Sequence, residues 1–255
     1  VVDAWQHWAP QAPDEIWSNC LLQATADKNS DPLIQVNGVY VGDVAPLNTL
    51  LAQLTNQIGV APISRYVWSD SLLNTMLYEA GCYQQTVGQC HLPTQDPNGQ
   101  VQRVTAGAKS DYFAKLLSRQ GVNNLVNAVA IRHASSILAD GGIGLDASGG
   151  AINRVPVDAT AFTHRNDLFS AQYSASWTVG NAGSVVAANH TWLTNTWQAM
   201  RPYASGAAYQ NYIDPYLTDW QHAYYGPNLA RLQHIKATYD PANFFHFAQS
   251  IAPVL

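Results

Sequence analysis

Near its C-terminal end the chain places Tyr209, Asn211, Tyr212 and Asp214 within six residues. A phenol ionises near pH ~10 in water, so it accepts a proton only where its surroundings lower that value. A tyrosine so tuned is a competent base for a hydroxyl. Untuned, it is a core residue with a satisfied hydroxyl, and the chain has 13 tyrosines. Asp146 lies in the alternation Ile143, Leu145, Ala147, and Gln172 in the alternation Phe169, Ala171, Tyr173, Ala175. Both therefore sit on the polar side of a strand-like stretch, where a carboxylate can orient or receive a proton and where water is the ordinary neighbour. Asn19 and Gln23 share one side of another such stretch. His164-Arg165 fits an arginine that anchors a turn better than a catalytic pair. The remaining histidines are scattered, without His-Glu-x-x-His spacing, and no Gly-x-Ser-x-Gly is present. Cys82, Cys90 and His91 lack a fourth ligand, so no metal centre is expected.

The elements that must position these groups follow from periodicity. Residues 2–8, 122–136 and 187–201 have helical spacing. Asp43 is placed to cap a helix that ends at Ile58 before Gly59. A further helix is expected over Ser69–Ala80, capped by Ser69 or Asp70. Ile16–Ala24 and Leu33–Val41 are strand-like, with Asn37-Gly38 either a hairpin turn or a glycine inside a strand. Residues 81–108 are expected as a long irregular loop. Residues 209–214 are expected to be extended, which would set Asn211 opposite Tyr212. One amphipathic helix carrying Leu229, Leu232, Ile235 and Tyr239 then runs to Asp240-Pro241, where proline stops it. Strands and helices interleave without strict alternation, which predicts an α+β fold: an antiparallel sheet with helices over one face.

Bulk properties narrow the partners. Charged residues make up 11% of the 255, against roughly 25% in an average soluble domain. With a net charge of −5 and no basic stripe, nucleic acid is not an expected partner. No apolar run approaches the ~20 residues of a membrane span. Cys82 and Cys90 enclose a short loop and are expected to form a disulfide in an oxidising compartment, with Cys20 a buried free thiol. Asn189-His-Thr191 fits an N-glycosylation triplet.

The C-terminal stretch Tyr209-x-Asn211-Tyr212-x-Asp214, Trp220, Tyr224-Tyr225-Gly226-x-Asn228-x-x-Arg231-Leu232, Lys236-x-x-Tyr239-Asp240-Pro241-x-Asn243-Phe244, Gln249-Ser250-Ile251 resembles the signature of the berberine bridge enzyme-like FAD-linked oxidases. These belong to the vanillyl-alcohol oxidase / p-cresol methylhydroxylase flavoprotein superfamily. Gly141-Gly142, Gly149-Gly150, Ala159 to Arg165 and Gln172-Tyr173 add to the resemblance, with Thr163 where the family usually has proline. Cys82 to Pro93 and Lys109-Ser110-Asp111-Tyr112 are similar to its secreted bacterial branch.

The resemblance implies a substrate-binding domain over 1–205 and a C-terminal segment, 206–255, that completes a flavin domain. The FAD-binding module and any covalent flavin attachment would lie N-terminal to these residues, which are expected to be the C-terminal portion of a longer polypeptide. It implies Tyr212 as the catalytic base with Asp146 assisting, Tyr209, Gln172 and Asn19 as substrate contacts, and Asn211, Tyr225, Asn228 and Asn243 as cofactor contacts. The implied protein is a secreted or cell-envelope, bacterial, FAD-dependent oxidoreductase. It would act on a small molecule: a sugar, an alcohol, or an aromatic or alkaloid-like compound. The alternative is a ligand-binding module that retains the substrate-domain fold without flavin.

Overall fold

The computed structural model describes residues 1–25, 27–138 and 140–254. Strands β1 (Ile16–Ala24), β2 (Leu33–Tyr40), β3 (Thr105–Phe113), β4 (Gly141–Ala147) and β5 (Phe169–Trp177) form one sheet in the order β2-β1-β4-β5-β3. Every neighbouring pair is antiparallel. The helices are α1 (Val2–Trp8), α2 (Val44–Ile58), α3 (Leu72–Glu79), α4 (Arg119–Ala134), α5 (Gly150–Arg154), α6 (Gly183–Met200), α7 (Trp220–Tyr225) and α8 (Leu229–Tyr239).

Alternation decides which side of the sheet the helices cover. Cys20, Leu145, Ala171 and Asp111 form one row across four strands, and Leu22, Ile143, Tyr173 and Lys109 form the next. Against them α4 packs on β1 and β4, and α6 on β3 and β5. Leu125, Val129, Leu193, Met200 and Trp5 complete one core. Burying each such side chain is worth roughly 1.5–3 kcal/mol, so a one-residue slip that turned these rows to solvent is strongly disfavoured. The opposite face is left polar. The expected α+β arrangement is the one found.

Several local expectations are corrected. The irregular stretch 81–108 ends early, because β3 begins at Thr105, paired with Trp177. Residues 109–113 of this strand are buried on both faces, and its core-facing positions hold Lys109 and Asp111, so no apolar–polar alternation marks it. Helix α3 starts at Leu72; its cap is Ser71, whose Oγ accepts the Asn74 N–H at 3.2 Å. Helix α4 starts at Arg119, capped by Ser118, and α6 starts at Gly183. Asp43 precedes α2 without a side-chain hydrogen bond, whereas Gly59 ends it in the left-handed conformation, as expected. Asn37-Gly38 lies inside β2, not in a turn. A Cβ on Gly38 would fall 2.3 Å from the Trp17 carbonyl oxygen, which is why the strand needs glycine there.

Residues 209–214 are turns rather than an extended piece, with the Tyr212 N–H donating to the Tyr209 carbonyl at 2.9 Å. The two-fold alternation assumed for Asn211 and Tyr212 therefore does not apply. The cause is the path of the chain. Ser205 and Ala207 hydrogen-bond to the backbone of Tyr112 on the outer edge of β3, and Ala208 donates to Ala223. Two helices, α7 and α8, follow where one was expected, separated by a 3-10 turn at Gly226–Asn228. Helix α8 stops before Asp240-Pro241 as expected. The segment has its own small cluster around Ala208, Ala223 and Tyr224. Its later aromatic side chains are left uncovered: Tyr239 is 84% exposed, Phe244 76% and Phe245 75%.

Cys82 and Cys90 are disulfide-bonded with Cα atoms 5.7 Å apart, and Cys20 is free and buried. Burial pushes the Cys20 thiol up to about 12, which keeps it unreactive. Asn189 is fully buried, accepting from Arg132 and donating to the Val185 carbonyl, so the folded chain cannot be glycosylated there. No described helix is long and apolar enough to cross a membrane.

Candidate functional site

The polar face of the sheet collects the candidate residues. Asn37, Asn19, Asp146, Ser170 and Tyr112 stand in register across all five strands. The next row holds Gln35, Leu21, Gly144, Gln172 and Ser110. Asp146 and Gln172 thus occupy adjacent rows on adjacent strands, with Gly144 between them as a floor without a side chain. Asn19 lies directly opposite Asp146, and its Oδ1 is buried without a hydrogen-bond partner.

The C-terminal segment brings the tyrosines to this face. The Tyr209 N–H donates to Ser110 Oγ at 3.0 Å, which pins the turn onto β3. Tyr209 then packs edge-to-face on Tyr212 at 5.0 Å and on Tyr112 at 6.4 Å. Tyr112 stacks on His164 at 4.1 Å, and Phe162 closes the cluster against His164 and Tyr209. Burial raises the Tyr112 phenol far above its ordinary range, and the surrounding groups Tyr209, Asp167, Tyr212 and Asp146 push in the same direction. Burial lowers His164 to about 4, so its ring is neutral at pH ~7.

Tyr212 is also raised from its ordinary 10.0, first by burial, then by the negative charge of Asp146, then by Tyr209. The lowering that a standing tyrosinate requires is not supplied by these neighbours. Asp146 is raised above 3.8 by burial and by Glu79 at the end of α3, which makes its carboxylate a stronger proton acceptor than that of a free aspartate. A carboxyl raised in the folded state costs no stability below pH 3.8, where it is protonated in both states. The cost appears as pH rises through 3.8 and is complete above the folded pKa. Asp146→Asn is therefore expected to stabilise the chain at neutral pH and to leave it unchanged in acid. Urea midpoints measured at both pH values check this, and a variant less stable at neutral pH would show that Asp146 has a structural partner.

The remaining motif residues build the scaffold. The Lys109 Nζ donates to Asp214 Oδ2 at 2.6 Å, with both side chains under 10% exposed. The Asp214 N–H donates to Tyr224 Oη, and Gln249 donates to the Asp214 carbonyl. Asn228 is buried, its amide held by the carbonyls of Val157 and Thr160 at 2.7 and 3.2 Å, and Arg231 donates to the Asp158 carbonyl. These two residues fix the loop that delivers Phe162 and His164. Asn228 thus has both amide hydrogens occupied by the scaffold. Arg165 anchors the same loop through Ile152 and Thr160. Asn211 is exposed and donates to Tyr209 Oη at 2.8 Å. Tyr225 is half-buried against Tyr224. Asn243 sits in a turn at φ 51° with its Oδ1 buried and unpartnered.

Sequence reasoning missed Tyr112 as part of the site, because it sits in the strand without alternation. It also missed Glu79, whose approach to Asp146 depends on how the excursion folds back. A flavin fits this face in part. A glycine floor, an unpartnered acceptor on Asn19 and an aromatic wall suit a flat hydrogen-bonding ring system.

The family model for berberine and berberine-like proteins matches residues 208–252. The uncharacterized FAD-linked oxidoreductase YvdP of Bacillus subtilis is 30% identical over 99% of this chain, which spans 51% of that protein. The solved structure of BBE-like 1 from Physcomitrella patens has a TM-score of 0.78 and 30% identity, over 99% of this chain and 50% of that one. A variant of berberine bridge enzyme has a TM-score of 0.82 at 20% identity, over 100% of this chain and 52% of that one, a likeness of fold. The chain spans about half the length of these relatives. It belongs to the berberine bridge enzyme-like family of FAD-linked oxidoreductases and corresponds to the C-terminal part of its members.

Proposed function

We propose that this chain provides the substrate-facing sheet and the C-terminal segment of a secreted bacterial FAD-dependent oxidoreductase. Its substrate is a sugar, an alcohol, or an aromatic or alkaloid-like compound. The observation that carries this reading is the meeting of Tyr112, Tyr209, Tyr212 and Asp146 on the polar sheet face. Bound FAD supplies the two-electron acceptor. The chain's own residues manage the proton. Tyr212 Oη accepts the substrate hydroxyl's proton as it passes its own phenolic proton to the Asp146 carboxylate, where the proton comes to rest. Tyr209, Gln172 and Asn19 orient the substrate. The packed rings of Tyr112, Phe162 and His164 exclude water from one side.

Residues 1–205 form the substrate domain in this reading, and 206–255 dock on a flavin-bearing part. The exposed side chains of Tyr239, Phe244 and Phe245 beside Asn243 offer an apolar surface for that part, with Asn211, Tyr225 and Asn243 as polar contacts. Asn228 belongs to the loop scaffold.

The test is made on the full gene product. It is expected to purify yellow with bound flavin and to bleach anaerobically with at least one member of a panel of sugars, alcohols and aromatic alcohols. A colourless full-length product that binds such compounds without redox change would replace this reading with a ligand-binding module.

A further inference from the structure

A polar pocket lies in the excursion between α2 and β3. Its volume is about 230 Å³, and Asp70, Asn74, Leu77, Tyr83, Gln84 and Gln85 line it. The Cys82–Cys90 bond staples the same stretch. Within the pocket wall the Gln85 Oε1 is buried without a hydrogen-bond partner. Leaving a buried acceptor in that state is unfavourable, and a ligand donor would relieve it. Gln84 has φ 62°, a region sparsely populated by residues other than glycine. Such a conformation persists where its surroundings over-determine it, and it clusters at ligand sites. Asp70 Oδ1 accepts from the Ser71 N–H at 2.8 Å and from Asn74 Nδ2 at 2.6 Å, which leaves Oδ2 as a second acceptor.

Tyr83, a wall of the pocket, belongs to a group of three exposed rings. Trp68, Tyr78 and Tyr83 meet with centroids 5.1–6.3 Å apart. They remain 37–51% exposed. Rings packed on one another present faces and edges outward as a platform. A quaternary ammonium needs the converse, rings standing around an empty centre.

Two open acceptors, neighbouring amides and an aromatic platform match a neutral ligand with several hydroxyl donors and an apolar C–H face. We infer that this pocket is a binding subsite for one sugar ring of an oligosaccharide, held by Asp70 and Gln85 and stacked beside Tyr83. The volume lies below the roughly 300–1,000 Å³ of sites that enclose a drug-sized ligand, which suits a single ring. Helix α3 runs on from the subsite to Glu79. Asn74 lies at the pocket and Glu79 at the helix end, about 7–8 Å along the axis at ~1.5 Å per residue. Glu79 is within electrostatic reach of Asp146. An oligosaccharide seated here would run toward the sheet face. That orientation rests on the proposed function; sugar binding itself does not.

Calorimetric titration of the purified protein with cellotetraose and with maltotetraose tests the inference. At least one sugar is expected to bind. Tyr83→Ala and Gln85→Leu are each expected to weaken it about tenfold or more, equivalent to ~1.4 kcal/mol. Asn127→Ala, on the far side of the helix layer, should leave binding unchanged. Circular dichroism and mapping of the Cys82–Cys90 bond establish that each variant is folded, and Asp70→Asn serves as a milder third variant. Binding with this mutational pattern in a protein without redox activity would uphold the subsite while defeating the proposed reaction. Absence of binding by both sugars, binding indifferent to all three pocket substitutions, or binding of choline in their place would overturn the inference.

Discussion

Replacing Tyr212 by Phe is expected to lower the turnover number of the flavin-loaded protein by about 10²–10⁴-fold, the range for a lost general base. The substitution keeps the ring that packs edge-to-face on Tyr209 and removes only the hydroxyl. Flavin content and stability should therefore hold. The direction of the phenol's shift makes the prediction specific. Burial and Asp146 both disfavour a standing tyrosinate, so the proton must pass on as it arrives. Asp146→Asn should then reduce turnover as well, although it relieves a stability cost at neutral pH. Activity should fall on acidification as Asp146 protonates, at a pH above 3.8. Tyr209→Phe should act mainly on KM, because its hydroxyl is engaged by Asn211. Anaerobic stopped-flow reduction separates these effects. A wild-type reduction rate in Tyr212→Phe would remove this residue from the chemistry and leave Asp146 as the direct acceptor.

Lys109→Met is expected to cost about 3–5 kcal/mol of folding stability, because it strands the buried carboxylate of Asp214. Lys109 faces the helix layer from β3, its ammonium 4.9 Å from the Trp197 ring centroid and 2.6 Å from Asp214 Oδ2. Asp214 retains the N–H of Tyr216 but loses the Lys109 ammonium. This pair fastens the C-terminal segment to the sheet, so its loss should loosen the turn that carries Tyr209 and Tyr212. The double substitution Lys109→Met with Asp214→Leu removes both charges and should recover much of the loss, since an apolar replacement of a buried pair is often close to neutral. Urea unfolding of the two single variants and the double variant gives the coupling directly. A single-variant loss below about 1 kcal/mol would mean that water already reaches the pair.

The sequence by itself determined the elements whose burial is one-sided. Strands β1, β4 and β5 alternate because one face meets α4 and α6 and the other stays polar, so Asn19, Asp146 and Gln172 could be put on one side from spacing alone. The disulfide and the inertness of Cys20 followed from loop closure and burial. Helix α2 was bounded by Gly59, whose left-handed backbone few other residues accept. The C-terminal signature was legible as a family resemblance.

Tertiary structure alone decided the rest. β3 is buried on both faces and carries Lys109 and Asp111 inward, so its period was erased by partners far along the chain: Asp214, Arg201 and Tyr173. Residues 209–214 look extended in isolation, yet they turn because residues 205–207 are already bonded to the edge of β3. Asn228 and Arg231 belong to a recognisable motif, but only the fold shows that they clamp the 157–160 loop. The direction of the Tyr212 shift was likewise beyond the sequence. It depends on which charges lie beside the phenol, and the fold puts Asp146 there.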